Sequence, residues 1–201
     1  MTEDDARDWI ATTFGDVLGT LEKLVDAIVA ENRQQNLIAP STVETIWSRH
    51  IADSAQLVPL AAANGQWLDI GSGAGLPGLV VAVLRPAPML LVEPRRQRAE
   101  FLRTAAAALG LTHVEVRQQK VEQVAEQAGV ISARAVAPIE KLLQAASPCA
   151  TSRTRWLLPR GQSGAAELAA LERRWTGVFH MKQSMTDQAS AIVVLDGPRR
   201  R

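Results

Sequence analysis

The residues with the clearest chemical meaning form one stretch, Trp67-Leu68-Asp69-Ile70-Gly71-Ser72-Gly73-Ala74-Gly75-Leu76-Pro77-Gly78. An apolar run ends in an acid, and a glycine-rich turn follows. Glycine reaches positive φ and lets a ligand approach the backbone without a Cβ in the way. A turn of this kind, at the carboxyl end of a first strand, is where an open α/β sheet takes its ligand. A turn that only packed helix on strand would not need three alternating glycines behind an acid. The spacing also selects the ligand. The dinucleotide fingerprint is G-x-G-x-x-G; counted from Gly71, Leu76 stands where its last glycine belongs. Gly71, Gly73 and Gly75 spell G-x-G-x-G instead, which suits a ligand without a pyrophosphate to place on a helix amino end. Glu93 closes the next apolar run about twenty residues on, where a carboxylate can bond both ribose hydroxyls.

These residues need a sheet to hold them, and the pattern supplies one. Residues 3–33 read as two helices, with Leu18, Leu21, Leu24, Val25 and Ile28 on one face at helical spacing. Pro40 interrupts, and a helical segment is expected from Val43 through Ile46, Trp47 and Ile51 to Leu57. From Gln66 apolar runs alternate with helical ones. Strands are expected at 67–70, 89–93, 113–117, 130–133 and 155–158, and helices at 79–84, 95–109, 121–127, 139–146 and 165–174. Such alternation demands a mainly parallel sheet with right-handed crossovers. Two last strands, 178–183 and 191–195, leave no room for a helix between them and should form an antiparallel edge hairpin. The chain divides into an N-terminal helical extension, 1–64, packed on the core, and an α/β domain, 65–201.

The net charge of +1 hides an asymmetry: residues 1–31 hold eight acidic and two basic side chains, and the remainder 13 acidic and 20 basic. Arginines group at 95, 96, 98 and 103, at 153, 155 and 160, and at 199–201, a surface that would attract a phosphate-rich partner. No run of eighteen apolar residues occurs, so no membrane helix is expected. The acidic start and the single Cys149 suit a soluble cytoplasmic protein without disulfides. Three scattered histidines make no metal site.

The G-x-G-x-G loop resembles the first motif of class I S-adenosylmethionine methyltransferases. That implies S-adenosylmethionine as cofactor and a Rossmann-like domain, here a seven-stranded sheet over 65–201. Further segments narrow the resemblance: Asn36-Leu37, Arg49-His50-Ile51-Ala52-Asp53-Ser54, Leu76-Pro77-Gly78, Val121-Glu122, Ser132-Ala133-Arg134-Ala135-Val136-Ala137 and Arg160-Gly161-Gln162. Together they span nearly the whole chain and are similar to the bacterial 16S ribosomal RNA guanine-N7 methyltransferase G family, also called glucose-inhibited division protein B. The resemblance implies methylation of N7 of a specific guanine in 16S rRNA, in the decoding-region 530 loop. Its cofactor contacts fall on Gly71, Leu76, Val121, Glu122 and Arg134, to which the loop chemistry adds Asp69, Gly73, Gly75 and Glu93. The chain departs from the family pattern at Gln35 and Ile38, and at Lys120 and Arg160, where charge is kept but donor geometry changes.

Guanine N7 has a free lone pair, so no general base is required and positioning with electrostatics suffices. Arg134, His50 and Asp53 are the catalytic candidates. His50 and Asp53 stand three apart on an expected helix, where they could also simply pair with each other. Arg49, Arg95, Arg96 and Arg160 are candidate RNA contacts. An extruded guanine would need an aromatic platform, for which Trp47 and Phe101 are candidates; Trp67 and Trp156 read as sheet packing. Cys149 follows a proline, as does the nucleophile of cytosine-C5 methyltransferases, but lies some distance past the fourth strand and reads as a buried apolar cysteine. The partner expected is 16S rRNA or the small ribosomal subunit, not DNA and not a membrane, met by a monomer. Three other readings exist: a small-molecule methyltransferase, which would not need the arginine clusters; a nicotinamide-dependent oxidoreductase, opposed by Leu76; and a non-catalytic ribosome-assembly factor, opposed by the intact glycines and Glu93.

Overall fold

A computed structural model describes residues 1–61 and 65–201; the expected domain boundary after residue 64 lies outside the described residues. Strands β1 (Trp67–Ile70), β2 (Met89–Val92), β3 (Val114–Arg117), β4 (Val130–Ser132), β5 (Arg155–Arg160), β6 (Trp175–Gln183) and β7 (Ala191–Arg200) form one sheet. Their order is β3-β2-β1-β4-β5-β7-β6. β1 to β5 run parallel, and β7 is antiparallel to both β5 and β6. This is the mainly parallel α/β sheet with an antiparallel edge hairpin that the alternation predicts. Strand order reverses beside β1, so a crevice opens at the carboxyl ends of β1 and β4.

Alternation along the strands feeds two cores. Trp67, Met89, Leu91, Val130 and Leu157 face one side, where α4 (Gly78–Leu84) and α5 (Arg96–Ala108) lie. Leu68, Leu90, Ile131, Trp156 and Leu158 face the other, under α6 (Ile139–Ala145) and α7 (Gly164–Glu172). Both faces are covered, which is why the inner strands read as continuous apolar runs. The helices α1 (Glu3–Phe14) and α2 (Leu18–Gln35) join the first core through Ile10, Leu21, Leu24 and Ile28. Thr2 and Asp5 form a capping box that starts α1. Glu3, in its first turn, accepts the Trp47 and Ser48 N–H groups at 2.9 and 2.8 Å. Its carboxylate thereby fixes the start of the segment that carries Arg49 and His50.

Three elements differ from expectation. The helix expected over 43–57 is a π-helical segment, Trp47–Ala52, running into the single turn α3 (Asp53–Ala55); π segments recur at functional sites. The helix expected over 121–127 is one 3₁₀ turn, Val121–Gln123. Beyond it the N–H groups of Ala128 and Gly129 bond to Cys149 O and Gln66 O, which draws the chain out toward β4. The hairpin runs further than expected, pairing Trp175 with Arg200 across an irregularity at Thr176/Val178. Gly177, Pro198, Arg199 and Arg200 there have no strand signature. No helix among the described residues is long and apolar enough to cross a membrane.

Candidate active site

The first residues of the glycine loop are tied to the end of β2. Gly71 N and Ser72 N donate to Val92 O at 2.8 and 3.3 Å, which binds the loop to the end of β2. Gly71 has φ 65°, and a Cβ there would stand 2.7 Å from Val136 Cγ2. Only glycine lets the loop after β1 and the loop after β4 close together here. Glu93 is 3% exposed. Its Oε2 accepts the Gly73 N–H at 3.0 Å and its Oε1 the Arg95 N–H at 2.9 Å. Each oxygen keeps a second lone pair, so the carboxylate can shape the loop and still accept from a ligand.

Asp69 does not reach the cavity. It is fully buried beneath the loop, where its Oδ1 accepts from Ser132 Oγ at 2.6 Å, and Ser132 in turn accepts from Trp67 Nε1 at 2.9 Å. Burial pushes its carboxyl up to about 6. Gly75 is likewise absent from the lining, pressed against Leu79. Both serve the loop from behind, where the sequence pattern suggests direct contact.

The other expected cofactor residues meet around one cavity of about 1050 Å³: Gly71, Gly73, Leu76, Glu93, Val121, Glu122 and Arg134. Arg95 joins them from the RNA candidates. Leu37, Val136, Lys141 and Arg98 line the cavity too; Leu37, Val136 and Arg98 lie in segments that carry the family resemblance, but no motif marks any of the four as lining. Leu37 is brought in by Asn36, which ends α2 in a left-handed turn with φ 49°. Lys141 lies in the first turn of α6, whose start at the carboxyl edge of β4 was the available signal.

Arg134 lies just beyond β4, and two partners hold one end of its guanidinium. One of its terminal nitrogens is 3.1 Å from His50 Nδ1 and 3.4 Å from Asp53 Oδ2. The protonation of His50 follows from its other contact. His50 Nε2 lies 2.8 Å from Thr42 Oγ1, and that hydroxyl already donates to Ala39 O at 2.8 Å. Nε2 must therefore carry the hydrogen, leaving Nδ1 to accept from Arg134. Burial, then Arg134 and Arg49, lower His50 to about 4, so it is neutral at physiological pH. His50 and Asp53 both address Arg134, whereas a regular helix would have paired them with each other. No hydrogen bond among the described residues uses the other two guanidinium nitrogens, and Arg134 lines the cavity.

The RNA candidates separate. Arg95 is exposed at the cavity rim. Arg96 is exposed but paired with Glu100 at 2.8 Å, and Arg49 with Asp187 at 2.9 Å. Arg160 is a correction: it is 8% exposed. Its terminal nitrogens donate to Ala133 O, Pro159 O and Ala137 O at 3.3, 2.9 and 3.1 Å, and its Nε faces Glu167 at 3.6 Å. A residue at the end of β5 turns inward here because the loop after β4 leaves carbonyls that need donors. The stacking candidates are corrected too. Trp47 is buried with Arg7 4.1 Å over its ring, and Phe101 belongs to the core. Trp67 and Trp156 pack the sheet as expected. Cys149 is buried, its thiol directed at the carbonyls of Val121 and Val124, and burial raises it to about 11.

Comparison with known proteins places this geometry. The GidB family, described as rRNA small subunit methyltransferase G, matches residues 18–192. A ribosomal RNA small subunit methyltransferase G of Sphingopyxis alaskensis is 48% identical, covering 99% of this chain and 89% of that protein. One of Rhizorhabdus wittichii is 49% identical over 96% of this chain and 92% of that protein. Among solved structures, TrmN from Thermus thermophilus superposes with TM-score 0.59 at 21% identity, covering 75% of this chain and 49% of that one. The glycopeptide N-methyltransferase MtfA complexed with sinefungin gives 0.62 at 10% identity, covering 74% and 94%. At such identities these two speak for the fold alone.

Proposed function

Because the chain belongs to the rRNA small subunit methyltransferase G family, we propose that it methylates N7 of a guanine in 16S rRNA, in the 530 loop, with S-adenosylmethionine as donor. The cavity residues suit that cofactor. The bare Cα of Gly73, where an added Cβ would meet nothing closer than 3.7 Å, leaves room for a ligand against the loop. Glu93 has lone pairs for ribose hydroxyls, Val121 gives an apolar wall, and Glu122 an acceptor for the base. When bound, S-adenosylmethionine supplies an electrophilic methyl group on a sulfonium. The chain's part is to orient both reactants. Arg134 presents its free nitrogens to an acceptor on cofactor or guanine, and Leu37, Leu76 and Val136 exclude water.

The single observation that carries the N7 reading is the state of His50. The imidazole beside the cavity is neutral and spends its lone pair on Arg134. It therefore has none to remove a proton from an exocyclic amine or hydroxyl. An acceptor that needs no deprotonation matches this site. The cavity's basic neighbours Arg95, Arg98, Lys120 and Lys141, which form no ion pair among the described residues, favour RNA over a small molecule. We read the protein as a cytoplasmic monomer.

The test is direct. The protein is incubated with methyl-labelled cofactor and undermethylated small-subunit particles or RNA, and the modified base is mapped. Label at N7 of one guanine is the expected result. Label on another atom, or none on RNA, overturns the reading.

A further inference from the structure

The tip of the β6–β7 hairpin, Ser184 to Ser190, contributes nothing to the cavity lining. It is joined to the site by a largely shielded polar circuit of buried Gln56 and Ser184 and half-buried Asp53 and Thr186. Gln56, 4% exposed, donates from Nε2 to Asp53 Oδ1 at 2.9 Å and to Ser184 Oγ at 3.1 Å. Its Oε1 accepts the Met185 N–H at 3.0 Å. Thr186 Oγ1 donates to Asp53 Oδ1 at 3.2 Å and lies 3.0 Å from Ser184 Oγ. Since the one hydroxyl hydrogen of Thr186 goes to Asp53, Ser184 supplies the hydrogen between the two hydroxyls. The donors thus converge on Asp53 Oδ1, and Oδ2 is left to Arg134.

The hairpin does not need this circuit to stay in place. β7 is already laddered to β5 over six residue pairs, from Arg155↔Asp196 to Arg160↔Ala191. A buried polar network is costly unless every member is satisfied, so an apolar contact would dock the tip with less risk. What the circuit adds is a fixed carboxylate under Arg134. We propose that Gln56, Ser184 and Thr186 are positioning residues for methyl transfer: the hairpin tip fixes Asp53, and through it the aim of Arg134 into the cavity. This rests on the reading that Arg134 serves the transfer.

Thr186→Val keeps the shape of the side chain and removes the hydroxyl; Ser184→Ala breaks the same circuit one step further out. In single-turnover methylation of undermethylated small-subunit particles, Thr186→Val should slow transfer about tenfold, as expected when a catalytic group is misaimed by a fraction of an ångström. Ser184→Ala should give a smaller loss and Thr186→Ser should restore the rate; the thermal midpoint of Thr186→Val should fall by no more than the loss of one or two hydrogen bonds allows and stay above the assay temperature, so that the folded variant is what is assayed. Gln188→Ala, an exposed change on the same tip, should leave the rate native. In an Arg134→Ala background Thr186→Val should cost nothing further, because the circuit acts through that side chain. A native rate for both Thr186→Val and Ser184→Ala overturns the proposal, as does an equal fold-loss with and without Arg134. A fully active Arg134→Ala removes both the proposal and the reading of Arg134. A crippled Arg134→Ala beside an unaffected Thr186→Val removes the proposal alone.

Discussion

A guanidinium set among carbonyls holds the loop that carries Arg134. Arg160→Met would strip donors from Ala133, Pro159 and Ala137 and leave Glu167 without its cation. Each buried group left unpaired costs about 1–3 kcal/mol. A marked fall in the denaturation midpoint is expected, with the salt dependence of RNA binding unchanged because this charge is inside the fold; a flattened salt slope would return Arg160 to the surface. Two other groups, half-buried His50 and buried Asp69, oppose each other in acid. The folded pKa of His50 lies at about 4, below its ordinary 6.5. Between those values the unfolded chain holds the extra proton, so this group's contribution to stability falls as pH drops. Asp69 is raised to about 6 from 3.8. In that window the folded chain holds the extra proton, so stability from this group rises as pH drops. Asp69→Asn removes the second effect. From pH 7 to 5 the variant should lose more stability than the native protein, by on the order of 1 kcal/mol, measured by denaturant melts at both values. Parallel curves would show that Asp69 keeps an ordinary pKa.

At the scale of elements, the loops after β1 and β4 must be read as a pair. Gly71→Ala puts a methyl 2.7 Å from Val136 Cγ2 in a left-handed backbone. The backbone term alone is about 1–2 kcal/mol, and the clash pushes the two walls of the cavity apart. Gly71→Ala should weaken cofactor binding by calorimetry, and Val136→Ala in the same chain should recover part of it by relieving the clash. If the second change recovers nothing, the loops do not limit each other. The same dependence on a distant partner explains Leu37. It reaches the cavity because Asn36 turns the chain out of α2, and no periodicity within α2 points to it.

Across the whole molecule, charge is distributed by function. The acidic N-terminal helices pack on one face, and Arg95, Arg98, Lys120 and Lys141 ring the cavity without an ion pair among the described residues. Arg95, Lys120 and Lys141 are exposed and Arg98 is half-buried; cations at such a rim release counterions when they meet phosphate. Neutralising these four should flatten the slope of RNA affinity against salt by roughly the number of phosphates lost, with cofactor affinity unchanged for Lys141. Arg96→Gln, which removes a side chain already engaged by Glu100, should change the slope less. An equal effect from both would mean that RNA spreads along α5 beyond the cavity rim.

Sequence alone determined what depends on short spacing. The G-x-G-x-G turn behind an apolar run, Glu93 at the end of the next strand, and the alternation of strands and helices are each written in consecutive residues. The turn and the strand ends follow from local sterics and from burial on both faces of the sheet. Tertiary structure decided which side chains meet across long separations. Arg160 and Arg95 are the same residue type near strand ends, yet carbonyls left by the loop after β4 draw one inside while the other stays at the rim. His50 and Asp53 turned from each other to Arg134, 84 and 81 residues away. Thr186 reached Asp53 across 133 residues. Such contacts are set by where the sheet brings loop ends together and by the need of buried polar groups for partners, and neither is encoded in any one segment.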